Sequence, residues 1–355
     1  MKHKIFSSAI QKRYFDLKIK ELNRVSNTKI TIYDVARKAD VSLATVSRVL
    51  NNPNRVKEKT RNRVLGVIKE LGYRPNAIAR GLASRKSTNV GLIVPTFART
   101  SISEMANGIA DIADKYNYSV FLNVTHNEHK LQTDSWENMI ASQVDGVLLA
   151  SDQMSDEEVD RLLSETVPTV LLASRDKQGR VPAVLIDYEA AAYEATKKLI
   201  ESGNKNVAFL TGGEGFVKDS MKQTGYEKAI KEAKMKPRIL KFNDKLDTLV
   251  KEFKTFFKKE TVPDAVLADR DSLAIMFMNA AIDAGIKVPT DLEVIGFQNT
   301  PTTLMSRPQL STVMTPTYDI GAVAMRLLTK LMTKEEVEEE EVILPHSFVW
   351  RGSTK

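Results

Sequence analysis

Along residues 31–51, TIYDVARKADVSLATVSRVLN, apolar positions recur at helical spacing in two short runs that meet at Ala39-Asp40-Val41. Ile32, Val35 and Ala36 share one face of the first run, and Val46, Val49 and Leu50 share one face of the second. Thr31 precedes the first run with Asp34 three positions on, the pattern of a capping box, and Ser42 stands where the second needs its N-cap. A third pattern over 58–71 offers Val64, Leu65 and Ile68 to close a small core. Three helices, the first two joined by a tight turn, predict a helix-turn-helix unit over 29–74. The outer face of its second helix, Leu43, Ala44, Ser47 and Arg48, carries less charge than solubility asks for and is shaped to fit against something.

From Ser87 onward the period changes. Short apolar runs at 90–94, 120–122, 147–150, 170–173, 184–186, 207–210, 265–268 and 294–297 read as buried strands. Between most of them lie helical patterns such as 193–201, 225–233 and 272–284. Strands alternating with helices predict an α/β body of parallel sheets covered on both faces, divided into two lobes with a cleft between them.

Charge sharpens the division. Residues 1–28 carry 7 basic and 2 acidic side chains, residues 29–87 carry 14 and 4, and the remaining 268 carry 31 and 39. A basic head on an acidic body points to a polyanion at the head, and double-stranded DNA suits the helix-turn-helix pattern. In a major groove Arg48 can reach guanine O6 and N7, while Leu43 and Ala44 make apolar contact with base edges. Ser42, Thr45, Ser47, Asn51, Tyr73 and Asn76 suit phosphate oxygens, which fix register without reading sequence. The segment 75–86 joins head to body; Pro75 suits a helix start and Gly81 weakens its interior, so this hinge helix is marginal alone and is expected to fold against DNA and a dimer mate.

Other chemistries find little support. The chain has no cysteine, no apolar run of membrane-spanning length and no secretory signal, and a cytoplasmic protein is the natural expectation. TGGEG at 211–215 lacks the Lys-Ser/Thr of a phosphate-binding loop and reads as a tight turn. His126, Glu128 and His129 read as a solvated loop rather than a metal site, and EEVEEEE at 335–341 as a solvated helix end. No nucleophile–base arrangement stands out, so no enzyme, cofactor or metal is expected; an enzyme fused to a DNA-binding head is the outsider. Residues 1–28 form a basic extension, expected to be translated leader sequence or a disordered tail.

TIYDVA, VSLATVSRVLN and GYRPNAIARGLAS, followed by IGFQNT, RPQLSTV and DIGAVAMRLLTKLM, resemble the lactose-repressor/galactose-repressor family of bacterial transcription regulators from about Lys29 to the C-terminus. That resemblance implies a homodimer on a pseudo-palindromic operator, with Ala79 and Leu82 of the hinge in the minor groove and Leu82 wedged at its centre. It also implies two periplasmic-binding-protein-like lobes, 87–186 with 316–344 and 187–315 with 345–355. Many members take a small sugar or purine in the cleft, where Arg175 and Asp271 are the plausible ligand groups here. Yet Thr96–Ile102 lacks the acidic residue and aromatics that sugar-binding members commonly place after the first strand. The run 318–332 offers another sensor. Ile320, Val323, Ala324, Leu327, Leu328 and Leu331 form its expected buried stripe; Tyr318, Asp319, Ala322, Met325, Arg326, Thr329 and Lys330 are expected outside it. An exposed methionine and alanine beside an arginine suit a phosphate-bearing protein. The run resembles the helix with which a carbon-catabolite-control branch of the family engages serine-phosphorylated HPr, a phosphocarrier protein. Two expectations result: a regulator whose DNA affinity rises when phosphorylated HPr docks, or a repressor controlled by a sugar or sugar-phosphate in the cleft.

Overall fold

The computed structural model describes residues 30–74, 87–126, 129–151, 154–212, 217–242 and 246–355. The extension 1–28 and the hinge 75–86, with Asn76, Ala79 and Leu82, lie outside the described residues, as do Glu128 and most of the TGGEG turn. The chain divides into two compact units, residues 1–85 and 86–355.

In the first unit, α1 (Ile32–Lys38), α2 (Leu43–Asn51) and α3 (Glu58–Leu71) enclose Val35, Val46 and Val64, each fully buried. The tight α1–α2 turn works because Asp40 takes a left-handed conformation, φ 49°, which aspartate tolerates better than a branched residue. Val41 N then donates to Ala36 O at 3.1 Å, which closes the turn. Asp34 accepts from both Thr31 N (2.9 Å) and Thr31 Oγ1 (2.7 Å), and these bonds lower its pKa. Ser42 Oγ accepts from Thr45 N at 3.2 Å, capping α2. Leu65 departs from expectation: it faces solvent, and Val67 and Leu71 help Ile68 close the core instead.

In the body, β1 (Asn89–Val94), α4 (Thr100–Lys115), β2 (Ser119–Val124), α5 (His129–Ala141), β3 (Gly146–Leu149), α6 (Asp156–Ser164), β4 (Thr169–Leu172) and β5 (Ala183–Ile186) build one sheet with its covering helices. Next come α7 (Tyr188–Glu201), β6 (Val207–Thr211), α8 (Val217–Glu232), β7 (Ile239–Lys241), α9 (Leu246–Lys259), β8 (Ala265–Ala268), α10 (Asp271–Asp283), β9 (Glu293–Gln298), α11 (Thr302–Met305) and β10 (Ser311–Met314). The chain closes with α12 (Thr317–Thr333), β11 (Glu341–Leu344) and β12 (Ser347–Val349). Strand order is β11-β5-β4-β3-β1-β2 in one sheet and β12-β10-β9-β8-β6-β7 in the other. Every pairing is parallel except β10 with β12, which is antiparallel. The chain passes between sheets three times: after β5, after β10, and between β11 and β12. Central strands such as β3, β4, β5 and β8 are buried throughout, which is why they read as unbroken apolar runs.

Each lobe carries one unusually close helix pair. A Cβ on Gly108 of α4 would collide with Tyr318 O of α12, and one on Gly321 of α12 with Met105 O of α4. In the other lobe a Cβ on Gly225 of α8 would meet Glu189 O of α7. Glycine at these three positions lets backbone lie on backbone, so the pairs pack as single two-helix slabs. Among the described residues no helix is long and apolar enough to cross a membrane.

Candidate nucleic-acid interface and sensor surface

The head presents the outer face of α2 as a smooth, low-charge ridge. Leu43, Ala44 and Arg48 are all exposed on it, while Val46 and Val49 point into the core. Ser42 Oγ lies 2.9 Å from Thr45 Oγ1, and Asn51 Nδ2 donates to Ser47 Oγ at 3.3 Å. These bonds hold the flanking polar groups in place around the ridge. Arg48 carries no ion pair among the described residues, so its guanidinium is available to a base edge. Lys38 pairs with Glu70 at 2.6 Å and ties α1 to α3. Tyr73, expected to meet a phosphate, is half-buried against the head's core. The surroundings are cationic, with Arg55, Lys57, Lys59 and Arg61 exposed or half-exposed at the start of α3.

The sensor helix α12 differs from expectation in an instructive way. Tyr318, Asp319, Arg326 and Lys330 are exposed, but Met325 is fully buried and Ala322 and Thr329 nearly so. The Gly108–Gly321 seam explains this, because it brings α4 down over the face that sequence alone leaves open. Thr329 Oγ1 turns back to Met325 O at 2.8 Å, as a buried hydroxyl must. Tyr318 donates to Asp111 Oδ2 of α4 at 2.7 Å, and that bond raises the phenol's pKa. Val323 and Leu331, expected buried, are only half-buried and border the exposed stripe. The surface of α12 is therefore Tyr318, Asp319, Val323, Arg326 and Lys330, rather than one centred on Ala322 and Met325.

Both cleft groups singled out from sequence are already engaged. Asp271, at the first turn of α10, is fully buried and accepts from Thr300 N (2.6 Å), Thr300 Oγ1 (2.9 Å) and Thr312 Oγ1 (2.6 Å). Burial pushes its pKa up to about 6 despite these three bonds. It ties the β9–α11 loop to β10 and has little left for a ligand. Arg175 pairs instead with Glu341 at the start of β11, at 3.4 Å.

Between the lobes the structure brings together residues that sequence reasoning missed. Gln298, at the end of β9, takes φ 111° and donates from Nε2 to Ser101 Oγ of α4 at 3.1 Å, across the two lobes. Lys222 is 2% exposed; its Nζ donates to Asp269 O (2.8 Å) and lies 4.7 Å from the Phe297 ring centre and 5.4 Å from that of Tyr188. Asp219 completes its surroundings at 3.1 Å. Asp269 in turn accepts from Thr211 Oγ1 and Gly212 N, and burial raises its pKa. Among the described residues, the pocket that Lys222 and Gln298 line is about 30 Å³, room for a water. A lysine in the pattern KDSMKQTGY looks like one more solvated helix cation, so nothing in sequence flagged it.

Comparison with known proteins agrees with this anatomy. Residues 31–76 match the model of bacterial regulatory proteins of the lacI family, and residues 196–354 match a periplasmic binding protein-like domain. The chain is 45% identical to catabolite control protein A of Priestia megaterium over 92% of its own length and 99% of that protein's. It is 44% identical to catabolite control protein A of Staphylococcus aureus (strain MRSA252), with the same coverage. Among solved structures it resembles the transcription regulator CcpA of Lactococcus lactis (34% identity, TM-score 0.68, covering 75% of this chain and 99% of that one). It also resembles the lac repressor dimer bound to operator and the anti-inducer ONPF (25% identity, TM-score 0.85, covering 92% and 99%). An exposed recognition helix on a cationic three-helix head, a two-sheet α/β body and these likenesses together establish that the chain belongs to the lacI family of bacterial regulatory proteins, as a DNA-binding transcription regulator.

Proposed function

We propose that this regulator acts in the cytoplasm as a homodimer in carbon catabolite control, and that its operator affinity rises when serine-phosphorylated HPr docks on α12. The observation that carries the reading is the exposed pair Arg326 and Lys330 beside Tyr318, on a helix of an otherwise acidic body. No carboxylate among the described residues lies within ion-pairing distance of Arg326. A guanidinium holds a phosphoserine through two parallel charge-assisted bonds, and the phosphate's charge of about −1.5 to −2 lets it tell modified from unmodified partner. Tyr318 and Val323 supply the apolar contact that sequence had assigned to Ala322 and Met325. Asp319 adds an acceptor for a basic partner residue.

Dimerism has its own support. Phe121 and Leu122 are exposed on the edge strand β2, and Leu304 and Met305 (74% exposed) on α11. Apolar groups exposed on an open edge strand and on a short surface helix are what a partner subunit could cover. Docking on α12 would favour the arrangement of lobes that brings two heads onto one operator, and the coupling is reciprocal.

The test is operator binding followed by fluorescence anisotropy. Arg326→Ala should abolish stimulation by phosphorylated HPr and leave basal affinity unchanged, with Arg326→Lys recovering only part. Equal stimulation of Arg326→Ala and wild type would remove this site from consideration. For the head, Arg48→Ala should relax base preference at one position in each half-site, at a cost of about 1–3 kcal/mol there. A selection from randomised operators reads that out directly: an unchanged preferred base at every position would contradict base reading by Arg48.

A further inference from the structure

Two polar side chains where the lobes meet are buried without a full set of partners. Thr315 stands on the crossover between β10 and α12 and is 5% exposed. Its Oγ1 is shut away from solvent and has no hydrogen-bond partner among the described residues. Lys222, on α8, is almost wholly buried, and its ammonium carries three protons. Among the described residues two acceptors meet it, Asp269 O at 2.8 Å and Asp219 Oδ1 at 3.1 Å. The rings of Phe297 and Tyr188 lie beside it and attract its charge, but a ring face offers no lone pair to the remaining proton.

Both line one largely enclosed cavity of about 30 Å³, whose wall also includes Ser101 of α4, Gln298, Met105 and Leu172. Ser101 Oγ accepts from Gln298 Nε2, and among the described residues nothing accepts the proton of Ser101 itself. Three groups from three parts of the body therefore border one small space with hydrogen-bonding capacity left over. Native interiors leave few polar groups in this condition, because an unmatched buried donor or acceptor forfeits its bond to water. A buried water needs roughly two to four polar partners and a cavity of at least about 10–15 Å³. This cavity meets both requirements.

We infer that this cavity is a binding site for one structural water molecule. The water accepts from Lys222 Nζ and Ser101 Oγ and donates to Thr315 Oγ1, so one molecule joins the two lobes and the crossover between them. A halide would suit the donors, but the charge here is already matched: Asp219 and Asp269 stand against Lys222 and Arg270. One more buried anion would have no cation of its own. A metal cation would face the Lys222 ammonium. The water also gives the Gln298–Ser101 bond a companion. Parting the lobes takes Ser101 from Gln298 and from the water together, so the two bonds hold or fail as a unit.

The test is a high-resolution crystal structure of the full-length protein, grown with bromide as the only halide, beside thermal melting of Thr315→Val. A water gives an oxygen-sized peak within hydrogen-bonding distance of Lys222 Nζ and Thr315 Oγ1, with no anomalous signal. Valine nearly keeps the shape of threonine and removes the hydroxyl. With the water in place, that change strips a partner from a buried molecule, and the melting temperature should fall by about 2–4 °C. Around a dry cavity, valine would instead relieve an unmatched hydroxyl, and the melting temperature would rise. The inference is overturned by a cavity without density, by an anomalous bromide peak inside it, or by a Thr315→Val protein that melts at or above wild type.

Discussion

Gly321→Val is expected to part α12 from α4 and to lower the stability of the body by about 3 kcal/mol. A valine Cβ there would collide with Met105 O, and on the facing helix Gly108 is confined in the same way by Tyr318 O. Both obstacles are backbone carbonyls, which cannot rotate aside as a side chain can. Even Gly321→Ala should destabilise, because the roughly 1 kcal/mol that alanine gains over glycine in a helix is smaller than the cost of separating two packed helices. Separation would expose Met325 and Ala322 and break the Tyr318–Asp111 bond. If α12 is the docking helix proposed above, the variant should therefore lose both melting temperature and response to phosphorylated HPr, whereas Arg326→Ala should lose only the response. A Gly321→Val protein that melts like wild type would show that the seam is looser than described.

Asp271→Asn is expected to change how stability depends on pH. An ordinary aspartate titrates near 3.8, and burial pushes Asp271 up to about 6. The folded state thus holds this proton more tightly than the unfolded chain does. The stability the group contributes is fully present below about pH 4 and is lost as pH rises through about 6, a difference of roughly 3 kcal/mol for a shift of that size. Asparagine keeps the shape without the charge. Its absolute stability is offset by altered bonds to Thr300 and Thr312, but that offset does not vary with pH. Urea melts of the two proteins should therefore converge or cross, with the asparagine variant gaining about 3 kcal/mol on wild type between about pH 4 and pH 7.5. Parallel pH profiles would mean that Asp271 titrates like a solvated carboxylate.

The sheets and the head were legible because each rests on a local rule. Buried parallel strands read as unbroken apolar runs, and the helix-turn-helix reads as two periodic stretches too close together for a surface hairpin. β7, β10, β11 and β12 were not legible. β7, β11 and β12 are partly exposed edge strands with no unbroken buried run, and β10 (STVM) alternates. The exposed ridge of α2 could be seen in sequence because its outer and inner faces belong to one helix. The face of α12 could not, since what covers it is a helix some two hundred residues earlier, admitted by one glycine on each side. Asp271 illustrates the same limit: a carboxylate after a strand looks like a ligand group until Thr300 and Thr312 are placed around it. Lys222 and Gln298 carry no signal of their own: Lys222 is set apart by Asp269, Phe297 and Tyr188 of its own lobe, and Gln298 by Ser101 of the other.

The Gln298–Ser101 bond and the small space around Lys222 also bear on what a metabolite could do here. A metabolite that needs the lobes parted would have to break the Gln298–Ser101 bond. If closure is favoured by about 2 kcal/mol, only roughly 3% of molecules are open, and the apparent dissociation constant is about thirtyfold weaker than that of the open site. Such a compound would be felt only when abundant, and it would act against closure rather than with it.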